Sequence, residues 1–222
     1  MLILDISTYN KAARHKPGHG YSARPGGAPP RAILVHATHG HVGSSFAAEA
    51  TYLLNSPDVS AHYLIGRQGQ CAELLSPAPW AAWHSGDCAP NVFENATSVG
   101  VELHAATSES ITPSQIVALT TLVQRLMWLW NIPADAVARH GSVAVPPGRK
   151  SDPATWPEAA FARWRASLKP LRAGSEARHD PTAPLATTPP PTYKGRWRLL
   201  APAWVRAAPW TKGPKLGGTS AG

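Results

Sequence analysis

The chain has 222 residues, enough for one ordinary domain with an appendage. Its hydrophobic fraction of 43% is normal for a globular protein, and no apolar run approaches the roughly 20 residues that a membrane-spanning helix needs. Two cysteines, Cys71 and Cys88, exclude a disulfide framework. They are interpreted as buried thiols, with a single pairing as the alternative. The start of the chain reaches Asp5 without a basic segment, so no secretory signal is expected.

The positive charge is unevenly distributed along the chain. The net charge is +8, but residues 1–169 carry 13 basic and 11 acidic side chains, a net +2, whereas residues 170–222 carry 8 and 2, a net +6. The basic excess therefore belongs mainly to the C-terminal segment and not to a binding face across a folded domain. No nucleic-acid partner is expected.

Regular structure is predicted from residue 31 onward. Residues 1–30 are rich in glycine, proline, histidine and basic side chains, which indicates an irregular N-terminal segment with a short strand. Residues 31–36 are an apolar run of strand length. Ser44 or Ser45 can then cap a helix that ends near residues 55–57.

Strand patterns follow in the middle of the chain. Residues 62–66 and 71–75 flank a Gln-Gly turn, so they predict a hairpin. Residues 98–103 read as another strand. Alternation places its side chains on two faces, with Val99, Val101 and Leu103 on one and Ser98, Gly100 and Glu102 on the other.

Two helices complete the regular elements. Thr112 is a good N-cap and Pro113 suits the first position of a helix that runs to about Trp130. Apolar side chains recur along it at three- and four-residue spacing, namely Ile116, Leu119, Val123, Leu126 and Trp130. A last helix is predicted over residues 157–168. The elements together predict an α/β fold, a single mixed central β-sheet flanked by helices, over residues 31–169.

The C-terminal segment, residues 170–222, has a different composition. It holds 9 of the 23 prolines and most of the excess basic charge, so it is predicted to be a largely extended or disordered tail. Yet three tryptophans are interleaved with lysine and arginine: Trp197, Trp204 and Trp210. Basic and aromatic side chains suit contact with an anionic wall polymer or a membrane surface. A solubilising extension is the alternative.

Three polar segments can supply a hydrolytic metal site. His36 ends an apolar strand, His140 follows the long helix, and Asp152 lies in the polar loop of residues 148–153. A catalytic zinc site needs about three ligands from histidine, cysteine or carboxylate side chains and one open position for water. Taken singly each segment is a weak signal, but the combination is specific.

The order of these motifs resembles the type-2 N-acetylmuramoyl-L-alanine amidases, which share a fold with peptidoglycan recognition proteins and phage lysozyme-type amidases. The resemblance covers roughly residues 31–168. Its motifs are Ile33–Thr38, Val59–Gly66, Ala82–Gly86, Asn95, Ser98–Leu103, the Thr-Pro-Ser-Gln helix start, His140 and Pro147–Pro153.

The resemblance implies a role for each matched residue. It makes His36, His140 and Asp152 the ligands of a zinc ion, Glu102 the proton-transfer residue and Lys150 the stabiliser of the oxyanion. Matched positions near the groove are predicted to bind substrate or to brace the site: His62, His84, Asn95 and Arg149.

Two features place the chain within this family, and one segment departs from it. Asp152 stands where phage lysozyme-type amidases and recognition proteins usually have cysteine. Ala61 and Glu102 occur together, which resembles the glutamate-using bacterial muropeptide amidases. The segment from His140 to Asp152 is a residue or two longer than usual, and Pro146 and Pro147 are expected to absorb the difference.

The function that the resemblance implies is zinc-dependent hydrolysis of the bond between N-acetylmuramic acid and L-alanine in peptidoglycan. The leading hypothesis is a lytic enzyme of the phage endolysin type, cytoplasmic in the producing cell and acting on the wall after release. One alternative is a cytoplasmic recycling amidase that acts on anhydro-muropeptides. Another is a recognition module that binds peptidoglycan without cutting it, which the complete ligand set disfavours.

Overall fold

The computed structural model describes residues 3–5, 20–170 and 198–199. Its main sheet has the strand order β8-β3-β7-β4-β5-β1-β9, and a two-stranded sheet pairs β2 with β6. The strands are β1 Ile3–Asp5, β2 Tyr21–Ala23, β3 Ala32–Ala37, β4 Tyr63–Ile65, β5 Cys71–Glu73, β6 Trp80–Ala82, β7 Ser98–Leu103, β8 Val137–Arg139 and β9 Arg198–Leu199. The helices are α1 Phe46–Asn55, α2 Pro113–Trp130, α3 His140–Val143 and α4 Glu158–Ser167.

The centre of the main sheet is mixed, as predicted. Strands β8, β3, β7 and β4 run parallel to one another, and β5 is antiparallel to β4. The hairpin of β4 and β5 and the strand β7 are therefore confirmed, whereas β6 and β8 were not predicted. The α/β class with a mixed central sheet flanked by helices is confirmed. Within the part of the chain that the structure describes, no helix is both long and apolar enough to cross a membrane.

Two apolar clusters hold helices against the sheet. The larger cluster joins β3 and β7 to α2 and α4, and it contains Val99, Val101 and Leu103 without exposure to solvent. This confirms the predicted alternation along β7. The smaller cluster seats α1 on β4 and β5 through residues such as Leu53 and Leu64. Burial of these side chains supplies the main favourable term of folding.

The long helix α2 begins and packs largely as predicted. Thr112 and Gln115 form a reciprocal capping box, which satisfies two backbone N–H groups at the helix start. Buried Gln115 also donates through Nε2 to the carbonyls of Ile65 and His104, so it joins the helix to the strand ends. For Trp128 the sequence favours a core or helix-packing role over a glycan-binding platform, but its side chain is 52% exposed, so it does not lie in the core.

Both cysteines are buried free thiols, which confirms the favoured interpretation over a pairing. The proline- and tryptophan-rich tail, apart from residues 198–199, lies outside the described residues. Those two residues pair antiparallel with β1 at the edge of the sheet.

Candidate metal centre

The three predicted metal ligands lie together beside the carboxyl ends of the parallel strands β3 and β8. His36 is near the end of β3, His140 opens α3 directly after the parallel strand β8, and Asp152 lies in the loop before α4. The Nδ1 atoms of His36 and His140 each lie 3.1 Å from Oδ2 of Asp152, and the three potential ligand atoms lie within 4.8 Å of one another. All three residues are buried. The fold thus unites side chains from three distant segments.

Glu102 lies beside this group because β3 and β7 are parallel and in register. The Cα of His36 is paired with that of Glu102 across the two strands. Oε2 of Glu102 is buried and has no hydrogen-bond partner among the described residues. Burial, followed by repulsion from Asp152 and Glu49, raises the pKa of Glu102 well above its usual range. Such a carboxyl group is suited to exchange protons with a bound molecule.

A chain of hydrogen-bonding groups joins the outer ring nitrogen of His36 to strand β7. Ser98 Oγ lies 2.7 Å from the carbonyl oxygen of Glu94 and 3.2 Å from Nε2 of His84. When the Ser98 hydroxyl donates to that carbonyl, it accepts from Nε2 of His84, and Nδ1 of His84 accepts from Nε2 of His36 at 3.0 Å. This tautomer leaves a lone pair on Nδ1 of His36, which is the form that binds a metal ion.

The same reasoning applies to His140. Its Nε2 lies 2.8 Å from the carbonyl oxygen of Ser85, which can only accept, so Nε2 carries the proton and Nδ1 carries a lone pair. In these tautomers two nitrogen lone pairs and the Asp152 carboxylate converge on one point. Two imidazoles with one carboxylate form a donor set suited to zinc. The described residues fit the predicted metal.

The electrostatics of the three residues agree with this interpretation. Burial lowers the pKa of His36, although Asp152 opposes that effect. Burial alone would raise the pKa of Asp152, but hydrogen bonds from His140 and His36 lower it well below its usual range in the zinc-free protein. A bound cation would take the place of those histidine protons. A neutral imidazole and an ionised carboxylate are the forms that bind a metal ion.

Lys150 and Arg149 lie on the exposed loop between α3 and α4. Burial dominates the pKa values of His36 and Glu102, and the positive charge of Lys150 adds to its effect on His36 and opposes its effect on Glu102. Arg149 donates from Nη2 to the carbonyl oxygens of Ser85 and Asp87, and from Nε to that of Val145. The loop that carries Lys150 is therefore attached to the segment that contacts His140. Substrate contact by Arg149 stays a prediction.

The remaining predicted site residues lie behind the metal ligands. His62 is fully buried, and its Nδ1 accepts from the backbone N–H of Gly100 while its Nε2 lies 3.1 Å from the carbonyl oxygen of Trp80. Asn95 braces the loop of residues 84–85. His84 lies between His62 and the metal ligand His36, which it contacts, so the structure brings these predicted residues into one network.

One residue of this network was not singled out from the sequence. Arg24 is 3% exposed and donates to the carbonyl oxygens of Pro77, Ala96 and Ser98, with Nη2 3.3 Å from Nε2 of His62. It lies in the glycine- and proline-rich N-terminal segment, where no local pattern distinguishes a buried arginine from an exposed one. Its partners are 38 to 74 positions away in the chain.

We expect the burial of His62 to make the zinc-free protein sensitive to acid. Burial, and secondarily Arg24, lower its pKa to about 3, whereas an unfolded histidine titrates near 6.5. The unfolded chain therefore binds an extra proton in this window, and the free energy of unfolding falls by about 1.4 kcal/mol per pH unit as the pH falls from 6.5 towards 3. Chemical denaturation at pH 7 and 5, with imidazole ¹⁵N NMR, measures both effects. A His62 ring that titrates near pH 6.5 in the folded protein would contradict the prediction.

Comparison with known proteins agrees with this geometry. Residues 26–155 match the family described as N-acetylmuramoyl-L-alanine amidase, which is more than half of the chain. The chain belongs to this amidase family. No curated protein matches the sequence. The family match begins close to the predicted domain start and includes all three predicted metal ligands, Glu102 and Lys150.

Solved structures of similar fold include amidases and endolysins. AmpD, as a selenomethionine derivative, is 24% identical with a TM-score of 0.55, over 72% of this chain and 98% of that chain. A mutant endolysin from Bacillus subtilis is 25% identical with a TM-score of 0.53, over 71% and 93%. AmiD from E. coli, in complex with anhydro-N-acetylmuramic acid-L-Ala-D-gamma-Glu-L-Lys, is 25% identical with a TM-score of 0.50, over 62% and 58%.

Proposed function

We propose that this amidase-family chain uses zinc to hydrolyse the bond between N-acetylmuramic acid and L-alanine in peptidoglycan. The observation that carries the proposal is the convergence of two histidine Nδ1 atoms and the Asp152 carboxylate beside a buried Glu102 oxygen that has no partner among the described residues. Family membership supports the bond that is cut. The muropeptide bound to AmiD is anhydro-N-acetylmuramic acid followed by L-Ala and two further residues, which supports peptidoglycan and its fragments as the substrate class.

His36, His140 and Asp152 would hold the zinc ion. When bound, zinc supplies Lewis acidity, which polarises the amide carbonyl and lowers the pKa of water. Glu102 takes the proton of the attacking water at its free Oε2 and later gives it to the leaving amine of L-alanine. The Lys150 ammonium group stabilises the negative charge that develops on the carbonyl oxygen. The burial of the ligand set strengthens each of these electrostatic interactions.

We propose the intact wall as the target, reached after release from the producing cell. Similarity to a Bacillus subtilis endolysin and the basic, tryptophan-bearing tail support this setting. A recycling enzyme acting on soluble anhydro-muropeptides is the alternative, and the similarity to AmiD favours it to the same degree. The two settings differ in substrate and not in the bond that is cut.

The proposal is tested by digesting purified peptidoglycan and analysing the products by mass spectrometry, with and without a strong zinc chelator. We expect glycan strands and intact stem peptides with new L-alanine amino termini, lost on chelation and restored by zinc. Cleavage of another bond would overturn the proposal. Cleavage only of soluble anhydro-muropeptides would establish the recycling setting, and binding without any cleavage would establish a recognition module.

Neutralising the basic charge of the tail should weaken action on the intact wall only. Changing Lys194, Arg196, Arg198 and Arg206 to glutamine removes four positive charges, each worth about 1 kcal/mol or less at an anionic surface, so we expect at least a tenfold loss on intact walls at low salt. Hydrolysis of a soluble muropeptide by the same variant serves as the control and should be unchanged. Equal losses on both substrates would contradict a wall-binding tail.

A further inference from the structure

One loop contacts the outer nitrogen of both histidine ligands. His84 Nδ1 lies 3.0 Å from Nε2 of His36, and the carbonyl oxygen of the next residue, Ser85, lies 2.8 Å from Nε2 of His140. The Ser85 carbonyl accepts a hydrogen bond from Nε2 of His140, and Nδ1 of His84 can accept one from Nε2 of His36, which leaves both Nδ1 atoms for a metal ion. The adjacent residues His84 and Ser85, called here the 84–85 bracket, therefore orient both rings.

The 84–85 bracket is itself held by a single side-chain atom. Oδ1 of Asn95 accepts hydrogen bonds from the backbone N–H of His84 at 2.8 Å, from the backbone N–H of Ser85 at 2.8 Å and from Ser85 Oγ at 2.9 Å. Three donors on one carbonyl oxygen fix both backbone groups of the bracket at once. Asn95 reaches neither histidine ligand directly, so any effect on the ligands passes through the bracket.

A second, steric feature positions the same bracket. The ring of His84 lies against Gly100 in the middle of β7, where a Cβ atom would approach the ring to 2.6 Å. Real Cβ atoms essentially never come this close, so an alanine here would displace the ring or the strand. The absence of a side chain at Gly100 therefore makes room for His84 between Ser98 and His36.

We propose that Asn95 is a positioning residue of the metal centre and not a substrate ligand. Its Oδ1 holds the 84–85 bracket, and the bracket presents the Nδ1 atoms of His36 and His140 to the metal ion. This inference rests on the proposed zinc function. It assigns to the acceptor oxygen of one amide the orientation of two ligands that lie 59 and 45 positions away in the chain.

The test measures zinc affinity in the full-length protein by competition with a chromophoric chelator. Asn95→Leu removes the acceptor, and we expect its zinc affinity to fall by about tenfold, the lower end of what outer partners of metal ligands contribute. Asn95→Asp keeps an acceptor oxygen and should retain zinc affinity within about twofold. If Asn95 instead bound substrate through its amide N–H groups, Asn95→Leu would keep its zinc affinity and only KM would rise.

Two further variants distinguish a loss of zinc affinity from a loss of folding stability. Thr97→Ala removes hydroxyl hydrogen bonds to the carbonyls of Asn91, Val92 and Glu94 in the same loop, away from the bracket. It should lower Tm without changing zinc affinity. Gly100→Ala should weaken zinc binding as Asn95→Leu does, and it should alter the visible absorption spectrum of the cobalt-substituted protein.

The outcomes separate this inference from the proposed function. A wild-type protein that binds no zinc would contradict the proposed function itself. Zinc binding by the wild type with an unchanged affinity in Asn95→Leu would overturn the positioning role alone. An equal loss in Asn95→Asp or in Thr97→Ala would also overturn it, because the acceptor oxygen would then not be the cause.

Discussion

Replacing Asp152 by alanine should abolish zinc binding and amidase activity while the fold persists. The change removes the one carboxylate on which both histidine Nδ1 atoms converge, so only two of the three ligands remain. Because the Lewis acidity of the metal is worth several kcal/mol, we expect kcat/KM to fall on the order of 10³-fold or more. The backbone bond from Gly141 to the Asp152 carbonyl does not depend on the side chain. Zinc affinity, kcat/KM and circular dichroism are the measurements.

Two further variants make this prediction specific. Asp135→Ala removes an exposed carboxylate from the turn that precedes β8, and it should leave zinc affinity and activity unchanged. Asp152→Cys replaces one zinc ligand by another that zinc accepts, so it should recover zinc binding that Asp152→Ala loses. If Asp152→Ala retained wild-type zinc affinity, the ligand assignment would be wrong.

Replacing Glu102 by glutamine should separate catalysis from metal binding. Glutamine has nearly the shape of glutamate but cannot take up the proton of water, so kcat should fall by about 10² to 10⁴. Zinc affinity and KM should change little, because no described residue bonds to the free Oε2 and the three metal ligands are intact. Steady-state kinetics on a soluble muropeptide and chelator competition measure the two quantities.

The matched control for this variant is Glu109→Gln. Glu109 forms an ion pair with Arg67 and accepts from the backbone N–H of Ala106, beyond the end of β7. It has no place in the proposed chemistry, so the substitution should affect Tm more than kcat. A Glu102→Gln enzyme with wild-type kcat would remove Glu102 from the mechanism and leave proton transfer to another group.

Local patterns in the sequence predicted most of the regular structure correctly. The strand β7, the hairpin of β4 and β5, and the helices α1, α2 and α4 follow from periodicity and capping residues, which are determined by neighbours within a few positions. The short strands β6 and β8 have only three residues each, too few for a period to be visible. Trp128 was expected to pack in the core or against another helix, but its position on α2 leaves it 52% exposed.

The ligand set could be named from the sequence because its motifs resemble a family, and the structure brings those residues together. How the ligands are oriented could not be predicted in this way. The contact between His84 and His36 spans 48 positions, and the contact between Ser85 and His140 spans 55. No local pattern records which polar side chain will find which partner over such distances.

The sequence by itself thus determined most of the elements and the α/β class, because these depend on short-range periodicity, and the family resemblance supplied the chemical types at the metal centre. Only the tertiary structure decided which groups contact the outer ring nitrogens of the ligands, that Arg24 is buried, and that Asn95 holds the segment behind both histidines. The physical reason is that a buried polar group must find a partner, and sheet register and loop packing choose that partner.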